Sequence, residues 1–129
     1  MRLNQDCIRY ILLELEERLD FNNEMGLSQI KLLASESKYD EDEVIYSILK
    51  LIEADYLIGA PFYAGDELHH LSVSSLTWNG HLFLDTIRDN QVWKETKSII
   101  SKFSSVSLSL VASISTNIVK EQIKKQLNL

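Results

Sequence analysis

Residues 40–73, D-E-D-E-V-I-Y-S-I-L-K-L-I-E-A-D-Y-L-I-G-A-P-F-Y-A-G-D-E-L-H-H-L-S-V, decide the fold. In the first half Val44, Ile45, Ile48, Leu49 and Ile52 recur at helical spacing. Asp40 with Glu43 three positions later forms a capping-box start, and the acids Asp40, Glu41, Asp42 and Glu43 suit the positive end of a helix dipole. That helix should end near Asp55. Residues 56–63 then have strand character, with Pro61 confining them to an edge or bend. Ala64, Gly65 and Asp66 read as a turn, and residues 68–73 as the returning strand, which predicts a hairpin.

Working outward, residues 3–19 place Leu3, Cys7, Ile8, Ile11, Leu12, Leu15 and Leu19 on one helical stripe, with Glu14, Glu16, Glu17 and Arg18 opposite. After a polar break at 20–26, Ser28 is the expected N-cap of a short helix through Ile30, Leu32 and Leu33, with Leu27 and Leu32 as its hydrophobic staple. Downstream, Thr77 can cap a helix carrying Trp78, Leu82, Phe83, Leu84 and Ile87. Asp89 and Asn90 interrupt it before a fifth helix with Val92, Trp93, Ile99, Ile100 and Phe103. Three helices, a hairpin and two further helices predict a mainly α chain with a β-hairpin, the plan of a winged helix-turn-helix. The hairpin is too small to be stable alone, so the helices must cover part of it.

Residues 104–119 carry no charge and include six serines. Strand-like alternation there gives way to a stripe of Leu108, Val111, Ala112, Ile118, Val119 and Ile123, the signature of an amphipathic helix. The expected organisation is a winged helix-turn-helix domain over 1–103 and a C-terminal helix over 104–129. That helix should pack on the first helix or on a second copy, with Leu108, Val111, Ile118, Val119 and Ile123 as oligomerisation contacts and a homodimer as the expected assembly. Lys120, Lys124 and Lys125 lie off the stripe.

At 129 residues the chain can build one core without disulfide or metal staples. The one cysteine, Cys7, sits on the apolar stripe of the first helix, where a small buried hydrophobe is the ordinary role. No apolar run reaches spanning length, so a cytoplasmic protein without membrane contact is expected. The net charge of −6 hides an asymmetry: residues 1–87 sum to −10 and residues 88–129 to +4. Between Lys50 and Arg88 there is no cationic side chain other than histidine, although Glu53, Asp55, Asp66, Glu67 and Asp85 fall there.

The stretch L-T-W-N-G-H-L-F-L-D-T-I-R-D-N-Q-V-W, residues 76–93, resembles a signature of a small bacterial and prophage-encoded winged-helix family with no established activity. Its form here is L-T-W-x-G-H-x-F-L-D-x-I-R-D-x-x-V-W. The opening M-R-L-N-Q-D-C-I-R-Y-I-L-L-E-L-E resembles the same family's first helix. The resemblance implies a winged-helix fold and a phage or mobile-element setting, and it assigns no catalytic or ligand residue. Read physically, Gly80 permits close approach, and Trp78 and Trp93 would anchor a helix junction. His81, Asp85 and Arg88 could form a surface epitope.

Two partner classes follow. In the usual docking of this fold the second helix of the turn enters the major groove by its N-terminal residues. Here those residues are Asp40, Glu41, Asp42 and Glu43, and the hairpin offers Asp66 and Glu67 in place of arginine. Phosphate neutralisation by cations supplies most nonspecific DNA affinity, so this surface suits a protein partner better. The expected contacts are Asp40, Glu41, Asp42, Glu43, Tyr46, Asp66 and Glu67. The alternative is a dimeric DNA-binding regulator that uses Lys31, Lys38, Ser47 and Lys50. No Gly-rich phosphate loop, nucleophile elbow or zinc-type cysteine pair occurs, so neither an enzyme nor a metal or cofactor is expected. His69 and His70, adjacent in a strand, should point apart.

Overall fold

The structure is a computed structural model and describes residues 1–128. Helices α1 (Gln5–Arg18), α2 (Leu27–Glu36) and α3 (Glu41–Glu53) precede strands β1 (Leu57–Ala64) and β2 (Glu67–Leu76). Helices α4 (Trp78–Ile87), α5 (Asn90–Ile100) and α6 (Leu108–Gln126) follow. The chain is therefore mainly helical, with one antiparallel two-stranded hairpin. Among the described residues no helix is long and apolar enough to cross a membrane. The chain divides into two compact units, residues 1–81 and the residues from Leu82 on. This division falls inside α4 and groups α5 with α6, whereas composition placed a boundary at 103/104.

In the first unit α1 buries Cys7, Ile8, Ile11, Leu12 and Leu15, as its stripe predicts. It begins at Asn4, whose side chain accepts from the Cys7 amide at 3.2 Å. Helix α3 turns Val44, Ser47, Ile48 and Leu51 inward, against α1, α2 and β1. Its end is a Schellman arrangement. Asp55 takes a left-handed φ of 63°, the Tyr56 amide donates to the Leu51 carbonyl at 2.9 Å, and the Asp55 amide to that of Ile52 at 3.1 Å. This reversal delivers the chain directly into β1. Asp40 occupies the N-cap position of α3 as expected, but its side chain makes no capping hydrogen bond.

The start of α2 differs from expectation. Met25 is held to Val73 by two backbone hydrogen bonds of 2.8 and 2.9 Å, an isolated bridge on the free edge of β2. The helix therefore begins at once, with Gly26 as N-cap and the Gln29 side chain accepting from the Gly26 amide at 2.8 Å. Ser28 lies inside the helix, and Leu32 is exposed, so the expected staple does not form.

The hairpin pairs Leu57 with Leu76 at its base and Ala64 with Glu67 at its tip. Gly65 takes φ +64° at the first central turn position, as a II′ hairpin turn requires. Register shifts between Ile58 and Gly59 and between Phe62 and Tyr63 each leave one extra residue on β2, Ser74 and His69. Strict alternation is thereby broken at His69, and the expected opposition of His69 and His70 does not follow from the pleat.

Thr77 caps α4 as expected: its hydroxyl accepts from the Gly80 amide at 2.9 Å and donates to the Asp55 carbonyl. In the second unit, Asp89 caps α5 by accepting from the Val92 amide at 2.9 Å, and Ser107 caps α6 by accepting from Leu110 at 3.3 Å. Helix α6 packs on α5. Thr96 donates to the Val92 carbonyl at 2.8 Å, so the 2.9 Å contact between the Thr96 and Ser115 hydroxyls has Ser115 as donor. Both groups are buried, and this pair sets the meeting of α5 and α6. Trp93 is buried, but Trp78 is 79% exposed and anchors no helix junction.

Candidate interaction surface

The first turn of α3 presents Asp40, Glu41 and Asp42 to solvent, with Glu43 half-buried beside them. One turn on, Tyr46 is half-buried, and the Lys50 ammonium lies 5.5 Å above its ring. The same ammonium makes a 2.8 Å ion pair with Glu53. That hydrogen bond is the main cause of a raised Lys50 pKa, with the Tyr46 and Tyr63 phenols adding to the field. Lys50 is thus the one cation sequence reasoning placed on the outward face of α3, and it is already engaged by a neighbouring carboxylate.

The other candidates divide. Ser47 is 1% exposed and cannot meet DNA. It shares the inward face of α3 with Val44, Ile48 and Leu51, and its hydroxyl reaches the Cys7 sulfur at 3.9 Å. Burial pushes the Cys7 thiol up to about 11 from 9.0, so the thiolate is strongly disfavoured at neutral pH and Cys7 is no nucleophile. Lys31 and Lys38 are exposed, on α2 and in the turn after it, with the Lys38 ammonium 5.6 Å from the Tyr39 ring. They stand on a different segment from the acids of α3. Asp66 and Glu67 are exposed at the hairpin tip.

The hairpin carries a second exposed feature that sequence reasoning missed. Ile58, Phe62 and Tyr63 of β1 are all exposed, Phe62 by 60%, with the His69 ring edge-on to Phe62 at 6.2 Å. Leu57 beside Ile58 is buried and Gly59 faces Ile52, so β1 turns one face to the helices and leaves Ile58 and Phe62 on the other, with Tyr63 on the helix side near the tip. The only usable signal was Pro61, which marks an edge.

Elsewhere in this unit a cleft of about 420 Å³ is lined by Leu15, Leu19, Asp20, Phe21 and Ser75, with Glu16 and His81 paired at 3.5 Å. No hydroxyl nucleophile in it is held by a base. Asp85 and Arg88 pair at 3.1 Å on α4 and just beyond it. Among the described residues no three His, Cys, Asp or Glu side chains stand close enough to hold a metal.

Of the expected oligomerisation residues, Val111 is fully buried within the chain and serves its own core. Leu108, Ile118 and Val119 are half-buried, and Ile123 is exposed.

A family model described as a hypothetical protein family, DUF2513, matches residues 2–107. An uncharacterized protein of Haemophilus influenzae is 32% identical over 124 residues, which cover 95% of this chain and 99% of that protein. No solved structure matches the chain significantly. The matched span takes in the acidic helix start, the exposed hairpin and α5, and on both comparisons the chain belongs to the DUF2513 family.

Proposed function

We propose that this chain is a noncatalytic protein-binding module of winged-helix type, and that the acidic start of α3 with the exposed hairpin engages a basic polypeptide surface. The winged-helix reading is supported by the order of α1, the Met25 bridge, α2, α3, β1 and β2, in which α3 feeds the hairpin directly. The protein-binding reading is carried by one observation: the first turn of α3, which groove docking would need to be cationic, presents Asp40, Glu41 and Asp42 to solvent.

A duplex brought to this face would meet Asp40, Glu41 and Asp42 where phosphates need lysine or arginine. A lysine- or arginine-bearing polypeptide would instead find charge complementarity at the rim and Tyr46 and Tyr63 as anchors.

Fluorescence anisotropy with an arginine-rich peptide, beside a mobility shift with random duplex DNA, separates the two classes. The peptide should bind, and the binding should weaken about tenfold or more between about 50 and 200 mM salt. The duplex should not shift. A shifted duplex whose binding falls with Lys31→Ala and Lys38→Ala would replace this reading by that of a DNA-binding regulator.

A further inference from the structure

We infer that the acidic and aromatic face of α3 and the hairpin receives the C-terminal end of α6 from a second copy of this chain. The inference rests on the face being a polypeptide-binding surface and adds the identity of one partner.

The observation that carries it is a stripe on α6. Lys120, Ile123, Lys124 and Leu127 follow one another at spacings of three, one and three residues, so they share one helix face, and all four are exposed. Two ammonium groups and two aliphatic side chains thus alternate over about 10 Å of helix. Among the described residues no hydrogen bond or ion pair ties these four side chains to α5: α6 meets α5 through Ser115, and its buried residues, Val111 and Ser115, lie in its first half. Lys124 pairs with Glu121, one turn back at 3.5 Å and exposed, a contact that a better-placed carboxylate replaces at little cost.

The receiving face has the reciprocal composition. Asp40, Glu41 and Asp42 provide carboxylates for Lys120 and Lys124, while Tyr46 and Tyr63, both in the field of the Lys50 ammonium, provide apolar area for Ile123 and Leu127. The charge asymmetry of the chain, −10 over residues 1–87 and +4 over residues 88–129, gives the same pairing at long range. Two copies that each donate α6 to the other satisfy both faces and close the assembly.

The test is light scattering on the full chain with a charge swap. Wild type should form a dimer that dissociates about tenfold more readily at about 200 mM than at about 50 mM salt. Lys120→Glu with Lys124→Glu should be monomeric, and so should Glu41→Lys with Asp42→Lys. Both pairs change exposed residues and leave the core untouched. An equimolar mixture of the two variants should recover the dimer mass, because each now carries the charge the other needs. A monomeric wild type, variants that remain dimeric, or a mixture that stays monomeric would each overturn the inference. The arginine-rich peptide keeps the two claims apart: Lys120→Glu with Lys124→Glu should bind it at least as tightly as wild type. Peptide binding by a monomeric wild type removes the self-association alone, and failure to bind the peptide at all removes the acidic-face reading.

Discussion

Gly80→Ala should destabilise the first unit by about 3 kcal/mol and lower its melting temperature by roughly 12–24 °C, although helix propensity alone favours alanine by about 1 kcal/mol. A Cβ at residue 80 would stand 2.1 Å from the Tyr56 carbonyl oxygen and 3.0 Å from its carbon. Both are backbone atoms and cannot rotate aside. The same carbonyl accepts from the Thr77 amide at 3.1 Å, so relieving the clash also pulls on the start of α4.

Gly65→Ala is the matched control. It meets nothing within 4 Å but must hold φ +64°, so only backbone strain of about 1 kcal/mol is expected. Thermal unfolding followed by circular dichroism compares the two. A Gly80→Ala melting temperature equal to or above wild type would mean that α4 does not begin seated on Tyr56.

The second large effect is on binding. Asp42→Lys with Glu43→Lys should weaken association with the arginine-rich peptide about a hundredfold at low salt, mainly through the association rate. The substitution changes the local charge by four units at the centre of the proposed face. Asp42→Asn with Glu43→Gln removes attraction without adding repulsion and should cost about tenfold.

Two effects compete with this reading and are separable. Lysines in the first turn of α3 oppose the helix dipole and lower stability by about 1 kcal/mol, which a melting curve reads independently. A general loss of negative charge is matched by Glu17→Lys with Asp20→Lys, the same change of charge on exposed residues of α1 and the loop after it. That control should bind the peptide within about threefold of wild type. Equal weakening by both variants would mean that net charge, not the face on α3, governs binding.

What was legible in the sequence was local. The apolar period of α3, the turn glycine and the cap Thr77 depend on neighbours within a few residues, and each stands where it was expected. The misses involve partners far along the chain. Gly26 replaced Ser28 as a cap because Met25 is tied to Val73, a pairing that no window around α2 contains. Ser47 looked outward by polarity, yet it sits three residues after Val44 and four before Leu51. A small hydroxyl that reaches Cys7 across the core is tolerated there.

The candidate face was legible in half. Its acids were written in the sequence of residues 40–43 and 66–67. The exposure of Tyr63 was not, because strand residues look alike whether helices cover them or not, and Tyr63 stands half-exposed near the hairpin tip. The pairing of α6 with α5 was equally hidden, since the buried contact between Thr96 and Ser115 is polar and leaves no hydrophobic period to read.

Amide chemical-shift mapping of the full chain with the arginine-rich peptide tests the central claim most directly. The largest changes should fall on Asp40, Asp42, Tyr46, Tyr63 and Glu67, and should be absent from Lys31 and Lys38. Changes confined to Lys31, Lys38 and their neighbours, or an equal response to duplex DNA at those lysines, would contradict it.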